Sequence, residues 1–156
     1  MSEAPRKNRK QVVEALHEVA AEMHNRMQRG DPPRMTLPVR TKTNISFDNK
    51  LGVFKYGKNK TVRDATKLGS ARQLLRTLHI TEFIEEMIDS GKSSTLREMY
   101  YISEGWGNGK FGSQNESNNL AEDLEIVTKC LREDFKLRPE EDGARIIGNI
   151  TVEERN

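Results

Sequence analysis

Two opposing helix signals lie four residues apart in this 156-residue chain, at Gly91 and Thr95. Glycine is the residue that most readily takes the left-handed conformation closing a helix. Thr95, with Glu98 three positions on, has the capping-box spacing that opens one. The backbone therefore has to turn sharply over Gly91–Ser94, which joins two helices by a tight corner. Before the corner, Ser70 with Gln73 also fits a capping box, predicting a helix through Leu74, Leu75 and Leu78. A second helix is expected over about Thr81–Ser90, with Phe83, Ile84, Met87 and Ile88 as its apolar face. Three short helices in this order resemble a helix-turn-helix, although periodicity alone fits any three-helix bundle equally well.

On either side the texture differs. Gln11–Arg29 reads as an amphipathic helix, with Val12, Ala15, Leu16, Val19, Met23 and Met27 in one stripe, ended by Gly30-Asp31-Pro32-Pro33. Residues 1–8 read as disordered. His17 and His24 share a face of this helix but have no third ligand in view, so they read as surface residues. From Met35 to Val62 the pattern is β-like. Thr36–Arg40 and Ile45–Asp48 alternate, and Asn49-Lys50 turns into Leu51–Tyr56. A polar turn follows at Gly57–Lys60. Beyond the corner, a long helix is expected over about Asn118–Phe135, through Leu120, Leu124, Val127 and Leu131, widened by Ile126 and Cys130. A turn at Pro139–Gly143 and a closing strand over Ala144–Val152 would complete a hairpin wing. The fold class expected is α+β: a winged-helix (CAP-like) helix-turn-helix domain over 67–156, preceded by an N-terminal helix and a basic β arm over 1–66.

Charge is spread unevenly along the chain. Residues 41–80 hold nine lysines and arginines against two acids, +7, whereas 81–156 carry −8. A basic segment of this kind suits an anionic partner, with nucleic acid foremost. Phe47, Phe54 and Tyr56 interleave there with Lys50, Lys55, Lys58 and Lys60. The aromatics read as the inner face of a small sheet; the alternative is that they stack on bases. No run of 18 apolar residues exists, which predicts no membrane span. The first ten residues have no apolar signal core. The single cysteine, Cys130, lies in an apolar stripe, reads as a small core residue, and fits a reducing cytoplasm.

The corner also holds the chemistry. In Thr95–Ser103, Arg97 and Tyr101 are four residues apart, so a guanidinium stands beside a phenol. Phenols titrate near pH ~10 and are poor nucleophiles at neutral pH. A fixed cation favours the phenolate and can hold a phosphate oxygen. Such a pair suits attack on a phosphodiester. Met99, Tyr100 and Ile102 read as core, and Glu98 as a cap more than a proton acceptor. Lys92 either meets a phosphate or is a solvated turn lysine. Downstream, Gly107-x-Gly109-x-x-Gly112 matches a dinucleotide fingerprint only formally, because it follows a helix and no βαβ unit surrounds it. It reads as a flexible loop beyond the tyrosine, with Trp106 either anchoring it or lying near DNA.

Gly91–Ser103 resembles the catalytic-tyrosine motif of the A subunit of the archaeal type IIB DNA topoisomerase, topoisomerase VI. The related meiotic double-strand-break transesterase has a similar Arg-acid-x-aromatic-Tyr run. Gly69–Arg72, Thr81–Ile84, Asp89–Lys92, Ser113–Ser117 and Ala121–Glu125 extend the likeness over about 65–155. The resemblance implies that Tyr101, the second of the pair, attacks a backbone phosphorus and becomes 5′-phosphotyrosyl-linked, with Arg97 orienting the phosphate. It implies a homodimer acting on double-stranded DNA, assembled with the B subunit of topoisomerase VI in a heterotetramer. ATP would then belong to the B subunit. Mg²⁺ would sit on a Toprim domain, whose Asp-x-Asp carboxylates this sequence lacks, so no metal ligand is expected in this chain. The expected function is the A-subunit part of an ATP-hydrolysing type II topoisomerase, with the isolated chain inactive. The alternatives are a non-enzymatic winged-helix DNA-binding module and an assembly module.

Overall fold

The computed structural model describes residues 6–50 and 52–138. In chain order its elements are α1 (Arg9–Gln28), β1 (Arg34–Pro38), β2 (Ile45–Asp48), β3 (Val53–Tyr56), β4 (Lys60–Asp64), α2 (Leu68–Ser90), β5 (Ser94–Thr95), α3 (Leu96–Ile102), α4 (Gln114–Thr128) and β6 (Leu137–Arg138). Helices and small sheets are thus mixed, as an α+β chain requires. The Pro139–Gly143 turn and the Ala144–Val152 strand, and with them the wing, lie outside the described residues.

α1 begins two residues earlier than its apolar stripe suggests, because Asn8 supplies a cap. The Asn8 side chain accepts from the Gln11 N–H at 3.0 Å, and the Gln11 side chain accepts in return from the Asn8 N–H at 3.0 Å. Lys7 donates to the Thr128 carbonyl at 2.6 Å. The described end of segment 1–8 is therefore ordered, contrary to expectation: its polar groups cap one helix and tie it to another. Val12, Leu16, Val19 and Met23 are buried, each burial contributing about 2 kcal/mol. His17 and His24 are exposed, as expected, and His17 Nε2 lies 2.9 Å from a Glu85 oxygen.

The largest departure is α2. The two expected helices, broken near His79–Ile80, are one helix of 23 residues. Thr81 does not cap a second helix; its hydroxyl donates back to the Thr77 carbonyl at 2.9 Å, and Thr77 donates to the Gln73 carbonyl at 2.8 Å. A threonine can satisfy its hydroxyl this way inside a helix as readily as at a cap. Leu74, Ile80, Phe83, Ile84 and Ile88 then form a single buried stripe. Nor does Ser70 cap; the helix starts after Lys67 with no side-chain cap bond. Gly91 ends it at φ +67°, in the left-handed region that glycine tolerates.

Helix α4 also differs from expectation. It begins at Gln114, where the Ser113 hydroxyl accepts from the Glu116 N–H at 3.2 Å. It stops at Thr128 rather than near Phe135, because Lys129 takes φ +54°. Leu131 thereby leaves the apolar stripe and is exposed, while Cys130 and Phe135 turn into the core. Among the described residues, no helix is long and apolar enough to cross a membrane.

Among the described residues, the strands form three two-stranded sheets. β1 and β4 pair antiparallel with Met35 opposite Arg63, so the β-like texture extends past the polar turn into a strand that runs to Asp64. Met35 and Leu37 alternate inward from β1 and join the same core as α1, α2 and α4. β2 and β3 form a hairpin with Phe47 opposite Phe54. β5 and β6 pair in parallel, which ties the corner before α3 to the chain after α4.

Two buried polar groups hold this arrangement. Asn44 donates to the carbonyls of Val39 at 2.8 Å and Asn59 at 2.9 Å, and accepts from the Asn59 N–H at 3.1 Å. It thus fastens the hairpin's base to the β1–β4 ribbon. Gly57 is packed so closely that a Cβ there would collide with the Asn44 side chain. Asn44→Ala removes three hydrogen bonds at once and is expected to lower stability by about 2 kcal/mol, read as a drop in the urea unfolding midpoint. The second group is Asp123, whose carboxylate pairs with both Arg40 and Arg63 while Arg40 also reaches Glu122 at 2.7 Å. Burial pushes the Asp123 carboxyl up, against the opposing pull of Arg63 and Arg40.

Candidate active site on helix α3

Helix α3 is seven residues long, and its first turn is fixed by side chains. Thr95 Oγ1 accepts from the Glu98 N–H at 3.0 Å, and a Glu98 oxygen accepts from the Thr95 N–H at 3.4 Å. The Ser94 hydroxyl donates to the same Glu98 oxygen at 2.8 Å. Glu98 is thereby engaged as a structural cap, which leaves little room for a proton-accepting role. Its charge near the helix start also suits the helix dipole.

One face of α3 is fixed inward by Leu96 and Met99, both buried. Tyr100 packs against that core. Ile102, expected in the core, is instead exposed, because the helix ends there and the chain turns away through Ser103–Gly105. On the outer face, the Arg97 Nε–H donates to Tyr101 Oη at 3.3 Å, with the guanidinium carbon 5.9 Å from the ring centroid. Both residues are on the surface, and Tyr101 is 56% exposed. Spacing of i to i+4 thus brings a cation to a solvent-facing phenol, while the neighbouring tyrosine is held in the packing.

The segment after α3 is organised rather than loose. The buried Ser103 hydroxyl donates to the Tyr100 carbonyl at 2.6 Å and accepts from the Phe111 N–H at 3.3 Å. Short 3-10 turns cover Ser103–Gly105 and Gly107–Gly109. Trp106 stacks on His79 at 5.1 Å and meets Phe111 edge-on at 5.3 Å. Of the two readings of Trp106, anchor and DNA neighbour, these contacts give it the anchoring one. A Cβ on Gly109 would lie 2.7 Å from His79 Nε2 and closer still to the ring carbon beside it. Gly109→Ala is expected to push His79 off Trp106 at a cost of about 1–2 kcal/mol. Fluorescence of Trp106, the single tryptophan, together with the melting temperature checks this.

The sequence-predicted lysines lie on other elements. Lys92 is exposed in the turn after α2, its N–H donating to the Met87 carbonyl at 3.0 Å. Lys50, Lys55, Lys58 and Lys60 are all exposed along the hairpin and β4, and Lys55 pairs with Asp48 at 2.6 Å. The aromatics among them correct the expectation of an inner sheet face: Phe47, Phe54 and Tyr56 all lie on the exposed side of the fold. A two-stranded hairpin has no second layer to cover such a face. Sequence reading missed Asp123, Asn44 and the His79–Trp106 stack, whose partners are all distant in sequence. Among the described residues, no group of three or more His, Cys, Asp or Glu side chains converges as metal ligands.

Residues 72–137, which include this exposed arginine–tyrosine pair, match the family model of type IIB DNA topoisomerase. The chain is similar to proteins named as the A subunit of type 2 DNA topoisomerase 6. It is 40% identical to that of Halobacterium salinarum, over 99% of this chain and 43% of the relative. It is 43% identical to that of Archaeoglobus fulgidus, over 93% of this chain and 40% of the relative. With Methanosarcina barkeri the identity is 45%, over 91% of this chain and 39% of the relative. The chain thus spans about two fifths of the length of the curated relatives it matches.

Proposed function

We propose that this chain is the tyrosine-bearing part of the A subunit of a type IIB DNA topoisomerase, and that Tyr101 makes a transient break in a DNA strand. The observation that carries the reading is the Arg97–Tyr101 hydrogen bond on a solvent-facing helix surface. In the step, Tyr101 Oη forms a bond to a backbone phosphorus as the bond from phosphorus to the 3′-oxygen breaks. The phenolic proton passes to solvent and the departing 3′-oxygen takes one up. The result is a 5′-phosphotyrosyl link and a free 3′-hydroxyl, and the reverse step reseals the strand. Arg97 holds the phosphate and offsets the charge that grows on its oxygens.

A double-strand break requires two such tyrosines, hence a homodimer. The relatives are named as subunits, which supports assembly with the B subunit of topoisomerase VI, to which ATP binding and hydrolysis belong. Mg²⁺ belongs to a Toprim domain. On this reading residues 67–156 form a winged-helix domain with α3 toward the DNA, residues 1–66 form its helical and basic arm, and the enzyme works in the cytoplasm. Lys92, Lys50, Lys55, Lys58 and Lys60 meet the phosphates of double-stranded DNA.

The test supplies the chain with the purified B subunit, with a Toprim-containing segment of the A subunit, and with Mg²⁺, ATP and supercoiled DNA. A protein–DNA adduct resistant to denaturant is expected with the wild-type chain and not without the Toprim segment. An adduct that persists unchanged in Tyr101→Phe would overturn the assignment.

A further inference from the structure

The hairpin exposes more aromatic surface than a soluble ribbon needs. Phe54 is 69%, Phe47 51% and Tyr56 38% exposed. Phe47 and Phe54 are directly opposite each other and meet edge-on, with ring centroids 5.0 Å apart. Ile45, opposite Tyr56, lies on the same face, since residues two apart in a strand point the same way. Across from this face stands the end of α4. Phe54 and Tyr56 form one wall of an open groove of about 480 Å³, whose other wall is Ile126, Cys130 and Leu131. That size is within the range of small-ligand sites, about 300–1,000 Å³.

The charges around the groove select its occupant. Residues 42–60 hold five lysines and one acid, Asp48, which Lys55 already neutralises at 2.6 Å. Lys129 stands at the groove's rim, exposed at the left-handed end of α4. The acid in the opposite wall, Glu125, is clasped by Arg132 through two hydrogen bonds of 3.1 and 3.0 Å. What remains is an apolar, ring-lined slot with Lys129 at its edge and further lysines close in sequence to its two rings. An acidic peptide would satisfy the lysines but not the flat rings. A polynucleotide satisfies both, since every base has a π face and every link a phosphate.

We infer that the hairpin and the end of α4 form a second DNA contact, which takes unpaired bases. A base that has left the duplex stacks on Phe54 and Tyr56 and is backed by Leu131, while Lys58, Lys60 and Lys129 hold the flanking phosphates. This rests on the DNA reading above and adds to it a preference for strand segments that are melted or distorted.

Fluorescence anisotropy of the full chain on three labelled probes tests it: a polythymidine strand, a duplex with a central unpaired bubble, and the same duplex fully paired. Tighter binding to the first two is expected. The double variant Phe47→Ala/Phe54→Ala loses about tenfold on those two probes and little on the paired duplex. Phe54→Leu keeps apolar bulk on the hairpin but has no ring, and shares the loss with an unchanged circular dichroism spectrum. Lys58→Ala/Lys60→Ala weakens all three probes and flattens the salt dependence. If both phenylalanine variants bind every probe as the parent does, the inference falls. It falls equally if they keep DNA binding and lose capture of the purified B subunit, which would make the slot a protein-docking surface. A chain that binds none of the probes would remove this contact and the DNA reading together. Loss of the Tyr101 adduct in a chain that still prefers unpaired DNA would instead count against the proposed chemistry alone.

Discussion

Tyr101→Phe is expected to abolish the covalent adduct in the assembled enzyme, by about a thousandfold or more, because it removes the one atom that forms the new bond. The change is mild for the fold. Tyr101 is largely exposed, and its hydroxyl accepts a hydrogen bond from a surface arginine, so stability should move by no more than about 0.5 kcal/mol. DNA binding should survive as well. Tyr100→Phe is the matched control, since that ring packs against the core and its removal of a hydroxyl leaves adduct formation intact. Arg97→Ala should lower the adduct yield about 10²–10³-fold, the range for deleting one group that stabilises transition-state charge. Arg97→Lys should recover part of that loss, because it restores a charge without the planar fork. Gel quantification of DNA-linked protein reads all four. Equal yields from Tyr100→Phe and Tyr101→Phe would count against the separation of the two roles.

The largest effect on stability is expected at Asp123. Its side chain is 4% exposed and joins Arg40, just after β1, and Arg63, in β4, to helix α4. Asp123→Ala takes the shared carboxylate from two partly buried guanidinium groups, leaving Arg40 with Glu122 at 2.7 Å. Breaking a fully buried pair costs about 3–5 kcal/mol. Because both arginines keep some access to water, about 2–4 kcal/mol is the better figure, or a fall of about 5–15 °C in melting temperature for a chain of this size. Replacing all three together, as Asp123→Leu with Arg40→Met and Arg63→Met, should restore most of the loss, since it removes the charges along with their partner. Urea unfolding followed by circular dichroism measures each variant. An unchanged midpoint in Asp123→Ala would show that the ribbon is held by Met35 and Leu37 alone.

The corner that positions Tyr101 is legible in the sequence because its causes are local. Gly91, Thr95 and Glu98 act over three or four residues, and so does the Arg97–Tyr101 spacing, so the sequence contains the whole argument. Helix α2 is not legible in the same way, because Thr81 carries the same local signal at a cap and in a helix interior. The burial of Ile80 and Ile84 on a single stripe makes the choice. Similarly, the end of α4 depends on one residue, Lys129, whose left-handed backbone no composition rule requires.

By itself the sequence determined the elements whose signals are short-range: α1, the hairpin, the capped α3 and the pairing of a cation with a phenol. Only the tertiary structure decided which faces are covered. It left Ile102 outside with Tyr101, left Phe47 and Phe54 without a second layer, and gathered Arg40, Arg63 and Asp123 from three distant segments. The physical reason is that periodicity specifies a face, whereas burial and charge pairing depend on what packs against that face from elsewhere in the chain.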